Sequence, residues 1–214
     1  MTTTCTRRAA SGLIGALFLA ALATALPGPA TAADKQTAIF AGGCFWCVES
    51  DFDAIPGVLE TVSGYTGGTL ENPTYAAVTE GGTGHYEAVR IIFDAETVSY
   101  AELVAALFRS VDPTDAGGQF CDRGPSYRTA IFVTDDAQRQ VAEQQKADAA
   151  RILDKEVVTP ILPAATFYPA EDYHQDFHEK SSTRYSYYRW SCGRDETVKR
   201  VWGTEAFKGI PGKG

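Results

Sequence analysis

The stretch Gly42-Gly43-Cys44-Phe45-Trp46-Cys47-Val48-Glu49 decides how the chain is read. An apolar run, Thr37 to Ala41, leads into it and predicts a short buried strand. Two glycines then suit a tight turn or a close approach of backbone to a ligand. Cys44 falls in the first turn of a predicted helix that runs to about Asp53. Unpaired backbone N–H groups and the positive end of the helix dipole favour thiolate over thiol at such a place. Phe45 and Trp46 set two large apolar rings beside the sulfur. That wall suits a small apolar substrate group better than a sugar or a phosphate. The competing reading is an inert thiol packed among core aromatics.

Upstream of this stretch, residues 1–32 read as a secretory signal peptide. Arg7-Arg8 is the basic start, Gly12 to Leu26 the apolar run, Pro27-Gly28-Pro29 the break, and Ala30-Thr31-Ala32 the cleavage site. The run is short for a membrane span. Arg7-Arg8 fits the twin-arginine route as well as an ordinary basic start. Cys5 lies before the apolar run and not at the cut, so no lipid anchor is expected. The expectation is an exported protein, periplasmic or secreted and free of the membrane after cleavage, with one domain over residues 33–214. Losing Arg7 and Arg8 takes the formal charge from −8 to −10. Such acidity argues against nucleic acid or anionic membrane as partner. Cys44, Cys47, Cys121 and Cys192 remain, too few for a disulfide scaffold in a domain of this size.

Downstream, Ile55-Pro56-Gly57 ends the first helix, and Val58 to Tyr65 predicts a strand. Asn72 is read as the cap of a short helix from Thr74 to about Thr79, with Pro73 in its first turn. Tyr86 to Asp94 alternates as a strand does. Ser99 caps an amphipathic helix to about Val111, with Leu103, Val104, Leu107 and Phe108 on one face. Asp112 to Pro125 reads as loop, Tyr127 to Val133 as strand, and Asp135 to Leu153 as a long outer helix. Asp172 to Glu179 and Glu196 to Trp202 read as short helices separated by an aromatic-rich coil. Strand, helix, strand, insert, strand, helix, strand is the order of an α+β, ferredoxin-like split βαβ sandwich. The runner-up, a doubly wound Rossmann sheet, lacks a G-x-G-x-x-G turn.

Cys44 and Cys47 have C-x-x-C spacing at a helix start, as in thiol–disulfide exchange. The same four cysteines could hold zinc, but Cys121 and Cys192 stand singly where zinc ligands come in pairs. His174 and His178, four apart, read as a solvated helix face rather than metal ligands, and nothing ties His85 to Cys44. Glu87 opens a strand beside a glycine-rich segment. Exposed, it would form a salt bridge; facing a cavity, it would be a carboxyl of raised pKa able to donate a proton near neutrality.

Five blocks in order and spacing then carry a resemblance: Gly43-Cys44-Phe45-Trp46, Gly64 to Gly68, Asn72-Pro73-Thr74-Tyr75, Gly84-His85-Tyr86-Glu87-Ala88-Val89, and Asp122 to Arg128. The chain resembles the A-type peptide methionine sulfoxide reductases. The resemblance implies reduction of the S epimer of methionine sulfoxide, free or in oxidised proteins, without a cofactor. It implies Cys44 as nucleophile, Glu87 as acid, Tyr75 and Tyr127 as phenols on the sulfoxide oxygen, and Asp122 as a supporting carboxylate. Phe45 and Trp46 would receive the methyl group. A Cys44 sulfenic acid would be closed by a second thiol and the disulfide reset by an external, thioredoxin-like dithiol. Cys121 stands where the family pattern has asparagine, and it could fill space or act as a third redox thiol. For the resolving thiol, Cys192 on its coil ranks first, then Cys47, then Cys121. A monomer is expected.

Overall fold

The computed structural model describes residues 1–6 and 34–213. The chain divides into two units, Met1–Ala32 and Ala33–Gly214, and the second holds every element named below. The signal peptide expected from Arg7-Arg8, the apolar run and the Ala30-Thr31-Ala32 cut lies outside the described residues.

In chain order come β1 (Lys35–Gly42), α1 (Phe45–Asp53), β2 (Val58–Thr66), α2 (Tyr75–Glu80), β3 (Tyr86–Asp94) and α3 (Tyr100–Arg109). A two-stranded ribbon follows, β4 (Gly118–Gln119) with β5 (Asp122–Arg123), and then β6 (Thr129–Val133) and α4 (Asp136–Leu153). The chain ends with β7 (Ile161–Pro163), β8 (Tyr168–Pro169), α5 (Phe177–Lys180), α6 (Ser182–Ser191) and α7 (Arg194–Trp202). The main sheet has the order β7-β6-β1-β3-β2-β8. Its four central strands, β6-β1-β3-β2, are all antiparallel neighbours. Counted along the chain they run fourth, first, third, second, which is the split βαβ arrangement.

Period-two alternation explains both faces of this sheet. Ala38 and Phe40 of β1 join Val89, Ile91 and Phe93 of β3 in the larger core, under Phe45, Val48 and Phe52 of α1 and Leu103, Val104, Leu107 and Phe108 of α3. Ile39, Ala41, Tyr86, Ala88, Ala130 and Phe132 point the other way, where Leu162 and Phe167 cover them. Helix α3 carries the expected start: Ser99 accepts from the Glu102 backbone while Glu102 accepts from the Ser99 backbone.

Four local expectations are corrected. Helix α2 is capped by Thr74, whose hydroxyl accepts from Ala77 N at 3.3 Å. Asn72 instead takes φ +48, which turns the chain before the helix. Tyr127 ends a short 3-10 turn, Pro125–Tyr127, ahead of β6. The helix expected over Asp172 to Glu179 breaks at Asp176, whose φ is +53, so His174 and His178 do not share one helix. The aromatic-rich coil is helix α6. Its residues are weak helix formers, and its buried positions are Tyr185 and Arg189, one turn apart, rather than aliphatic ones.

The turn from β1 into α1 rests on Gly43, at φ +85, where a Cβ would stand 2.6 Å from Gln119 Cβ. Gly43→Ala should therefore lower the unfolding free energy by about 1–3 kcal/mol. Urea denaturation would show this as a lower midpoint at unchanged slope; an unchanged midpoint would mean that the turn relaxes freely.

Candidate active site

Cys44 is the N-cap of α1, and its carbonyl accepts from Val48 N at 3.3 Å. The first N–H groups of a helix lack partners within it. One of them, Phe45 N–H, donates to Glu87 Oε2 at 3.0 Å. Glu87 gets there by register. It lies opposite Tyr65 of β2 and shares its strand face with Val89, Ile91 and Phe93, so it points under the start of α1. It is 1% exposed. Burial pushes its carboxyl up to about 8, and the charges of Asp122 and Cys47 push the same way against the Phe45 N–H bond. The carboxyl therefore holds its proton at neutral pH.

Cys44 and Cys47 are free, buried thiols close enough to affect each other's ionisation. Cys47 is lowered to about 7, first by the Cys44 thiol against its sulfur and then, opposing its burial, by Arg194 and Arg189. Cys44 is pushed well above the usual thiol range, first by burial and then by Cys47. The helix start does not by itself make Cys44 a thiolate, because burial outweighs it. The two protons belong to the pair: the first leaves near neutrality and the second is held.

A cavity of about 50 Å³ lies in front of Cys44, lined by Phe45, Trp46, Tyr75, Glu87, Asp122, Tyr127 and Tyr188 as well. It is the smallest of the clefts described around the fold and has room for the tip of a side chain. A larger groove of about 470 Å³ beside Ile55, Val98 and Lys208 has no thiol in its wall. Phe45 packs on Tyr75 with ring centroids 6.4 Å apart. Trp46 stacks on Phe177 at 3.8 Å, and its Nε1–H donates to His174 Nδ1 at 3.0 Å. Burial lowers the His174 pKa, which keeps the ring neutral and able to accept that bond. Tyr75 is pushed up to about 12 by burial, then by Glu87. Tyr127 is raised by the same causes in the same order. Both phenols stay protonated and can donate.

The match to known proteins is extensive. The peptide methionine sulfoxide reductase family model matches residues 36–206. The chain belongs to that family, and to its A type. It is 57% identical over 182 residues to peptide methionine sulfoxide reductase MsrA 2 of Rhizobium meliloti, covering 85% of this chain and 91% of that one. It is 55% identical over 190 residues to the protein of the same name from Caulobacter vibrioides, covering 87% and 96%. Among solved structures, methionine sulfoxide reductase A of Corynebacterium diphtheriae matches with TM-score 0.63 at 32% identity, over 69% of this chain and 76% of that one. Reduced Mxr1 of Saccharomyces cerevisiae matches with TM-score 0.66 at 27% identity, over 69% and 86%. As a methionine sulfoxide reductase the chain is an oxidoreductase, and its α+β fold is that of its relatives.

Several residues of this reductase site were not singled out from sequence. Tyr188 of α6 donates to Asp122 Oδ2 on the cavity wall. Glu171 accepts from Tyr75 N at 2.9 Å and from the Tyr65 hydroxyl at 2.8 Å, which fixes the start of α2. Arg194 is buried and donates to the carbonyls of Gly42 at 3.2 Å and Ser110 at 3.1 Å. Tyr188 and Arg194 come from the segment where aromatic and charged residues hide any apolar period.

Cys192 is not on a swinging coil. It closes helix α6 and is disulfide-bonded to Cys121, at the tip of the β4–β5 ribbon. Cys47 is the thiol beside Cys44. His85 is structural: Nδ1 accepts from Gly68 N at 3.1 Å and Nε2 contacts Leu70 O at 2.8 Å. Among the described residues the one cluster of metal-type ligands is Cys121, Asp122 and Cys192, where the two sulfurs are bonded to each other.

The two titrations set a pH window. A thiolate in the pair forms as pH rises through about 7, and the Glu87 proton is lost as pH rises through about 8. The rate of the first turnover should rise and then fall with pH, with apparent limits near those values. Glu87→Gln should abolish the alkaline limb in rapid-quench measurements. A falling limb that persists in that variant would assign it to another group.

Proposed function

We propose that the chain reduces the S epimer of methionine sulfoxide, free and in oxidised proteins, by attack of the Cys44 sulfur on the sulfoxide sulfur. The observation that carries this is a carboxyl that stays neutral near pH 7, Glu87, lining the same small cavity as the Cys44 thiol, Tyr75 and Tyr127. Sulfur in a sulfoxide is a poor electrophile until its oxygen is protonated. Glu87 gives that proton while Tyr75 and Tyr127 donate hydrogen bonds to the same oxygen. Asp122, anchored by Tyr188, supports the polar side of the cavity. Phe45 and Trp46 receive the methyl group. With the oxygen on one side and the methyl on the other, the peptide can leave only along the third direction, which selects one epimer. The oxygen passes to sulfur as a Cys44 sulfenic acid and methionine departs. A second thiol then expels water to form an intramolecular disulfide, which a thioredoxin-like dithiol reduces. The basic start, apolar run and small-residue cut of residues 1–32 support export, to the periplasm or outside the cell.

Resolved sulfoxide epimers, assayed with dithiothreitol, test this. Wild type should consume the S epimer and spare the R epimer, and Cys44→Ser should be inactive. Glu87→Gln should lose roughly 10²–10⁴-fold in kcat. Tyr75→Phe and Tyr127→Phe should each lose a smaller factor, up to about 10². Full activity in Glu87→Gln would remove Glu87 as the proton donor, and no sulfoxide turnover by wild type would leave only thiol–disulfide exchange at Cys44 and Cys47.

A further inference from the structure

The cavity at Cys44 has a neighbour. A groove of about 250 Å³ is lined by Trp46, Phe177, Arg184, Tyr187 and Tyr188. Trp46 and Tyr188 line both spaces, meeting edge to face with ring centroids 5.6 Å apart. The rest of the groove is largely the work of α6. Arg184, Tyr187 and Tyr188 stand at i, i+3 and i+4, on one side of that helix. The helix is held to the fold by other residues, the buried Tyr185 and Arg189. Tyr187 is 68% exposed, so its ring serves the groove rather than the core. Arg184 is exposed too, and its guanidinium lies over the Phe177 ring, 5.7 Å from the centroid. It makes no ion pair among the described residues. Ring faces with one cation that lacks a counter-charge suit another aromatic ring, which both attract.

The geometry of an extended chain says which ring. The Cys44 cavity has room for a side-chain tip, so the backbone that carries the sulfoxide stays at its rim. Side chains of an extended segment alternate, and residues two apart point the same way, about 7 Å from each other. We propose that the groove is a subsite for an aromatic side chain two residues from the sulfoxide. Extended segments of oxidised protein with that pattern are then the preferred substrates. The proposal rests on the Cys44 cavity being the place of sulfoxide reduction. The incoming ring packs against Tyr187 and the Trp46–Phe177 stack, with Arg184 beside it. These contacts lie away from the reacting sulfur, so they hold ground state and transition state alike. They lower KM and leave kcat as it is. Arg184 and Tyr187 set specificity, and neither lines the Cys44 cavity.

Steady-state kinetics on the full chain, with dithiothreitol as reductant, test this. The substrates are short capped peptides in which the residue two places before, or two places after, methionine S-sulfoxide is Phe, Ala or Glu. N-acetyl-methionine S-sulfoxide methylamide, too short to reach the groove, is the reference. At one of the two positions the Phe peptide should have a KM roughly three- to tenfold below that of the Ala peptide, at equal kcat. Arg184→Ala and Tyr187→Ala should each shrink that ratio, and the double variant should abolish it. The ratio is internal to each variant, so a loss of folded protein does not imitate it. Equal KM values for Phe and Ala at both positions would overturn the subsite, as would a ratio that survives in the double variant. A lowest KM for the Glu peptide would overturn the aromatic assignment in favour of a carboxylate on Arg184. Equal values together with a dimer in sedimentation velocity would give the groove to a second copy of the chain. In each of these cases turnover of the reference leaves the Cys44 reading standing. No turnover of the reference would sink that reading, and this proposal with it.

Discussion

The hydrogen bond from Phe45 N–H to the buried Glu87 carboxyl joins the start of the first helix to the start of the third strand, at 3.0 Å. Much of the site follows from it. A helix start needs an acceptor for its unpaired N–H groups, and here the acceptor is an acid taken out of water. Burial makes that acid expensive to ionise, so it keeps its proton where an exposed glutamate would have lost it. The same contact fixes the acid relative to Cys44, one residue before Phe45. Positioning and pKa tuning are therefore one structural event.

A second layer of charge holds this event in place from behind. Asp51 of α1 is fully buried and accepts from Arg189 of α6 at 2.8 Å. Arg194 lies 3.8 Å from the same carboxylate and Lys213 3.5 Å. Such a buried cluster adds little net stability over apolar packing, but removing one member strands the others. Its effect is to clamp the C-terminal helices against α1. Arg194 also grips the Gly42 carbonyl, so the turn before Cys44 and the helix after Cys192 share one side chain. After the contact with the Cys44 thiol, the positive charge behind α1 helps to draw the first proton off the thiol pair.

The cavity is small because aromatic side chains from distant segments converge on it. Trp46 is sandwiched against Phe177 and tied to His174, while Tyr188 arrives from α6 to brace Asp122. The narrow space leaves Cys44 and Cys47 almost wholly buried.

Local signals in the chain were enough for the scaffold. The alternation in β1 and β3, the apolar face and cap of α3, and the glycines before Cys44 each act within a few residues, and the split βαβ order follows from them. The motif blocks carried the family, and with it the expectation for Cys44, Glu87, Tyr75, Tyr127 and Asp122, which the fold brings to one cavity. Only the tertiary structure decided what those residues experience. Glu87 could have been an exposed salt-bridge partner; the strand register and the N–H of Phe45 made it a buried acid. Cys192 read as the thiol of a loose coil, yet Tyr185 and Arg189 bury one face of a helix there and bring its end to Cys121. Burial, long-range ion pairs and sulfur pairing depend on segments more than a hundred residues apart in some cases, such as Arg189 and Asp51, and no local pattern encodes them.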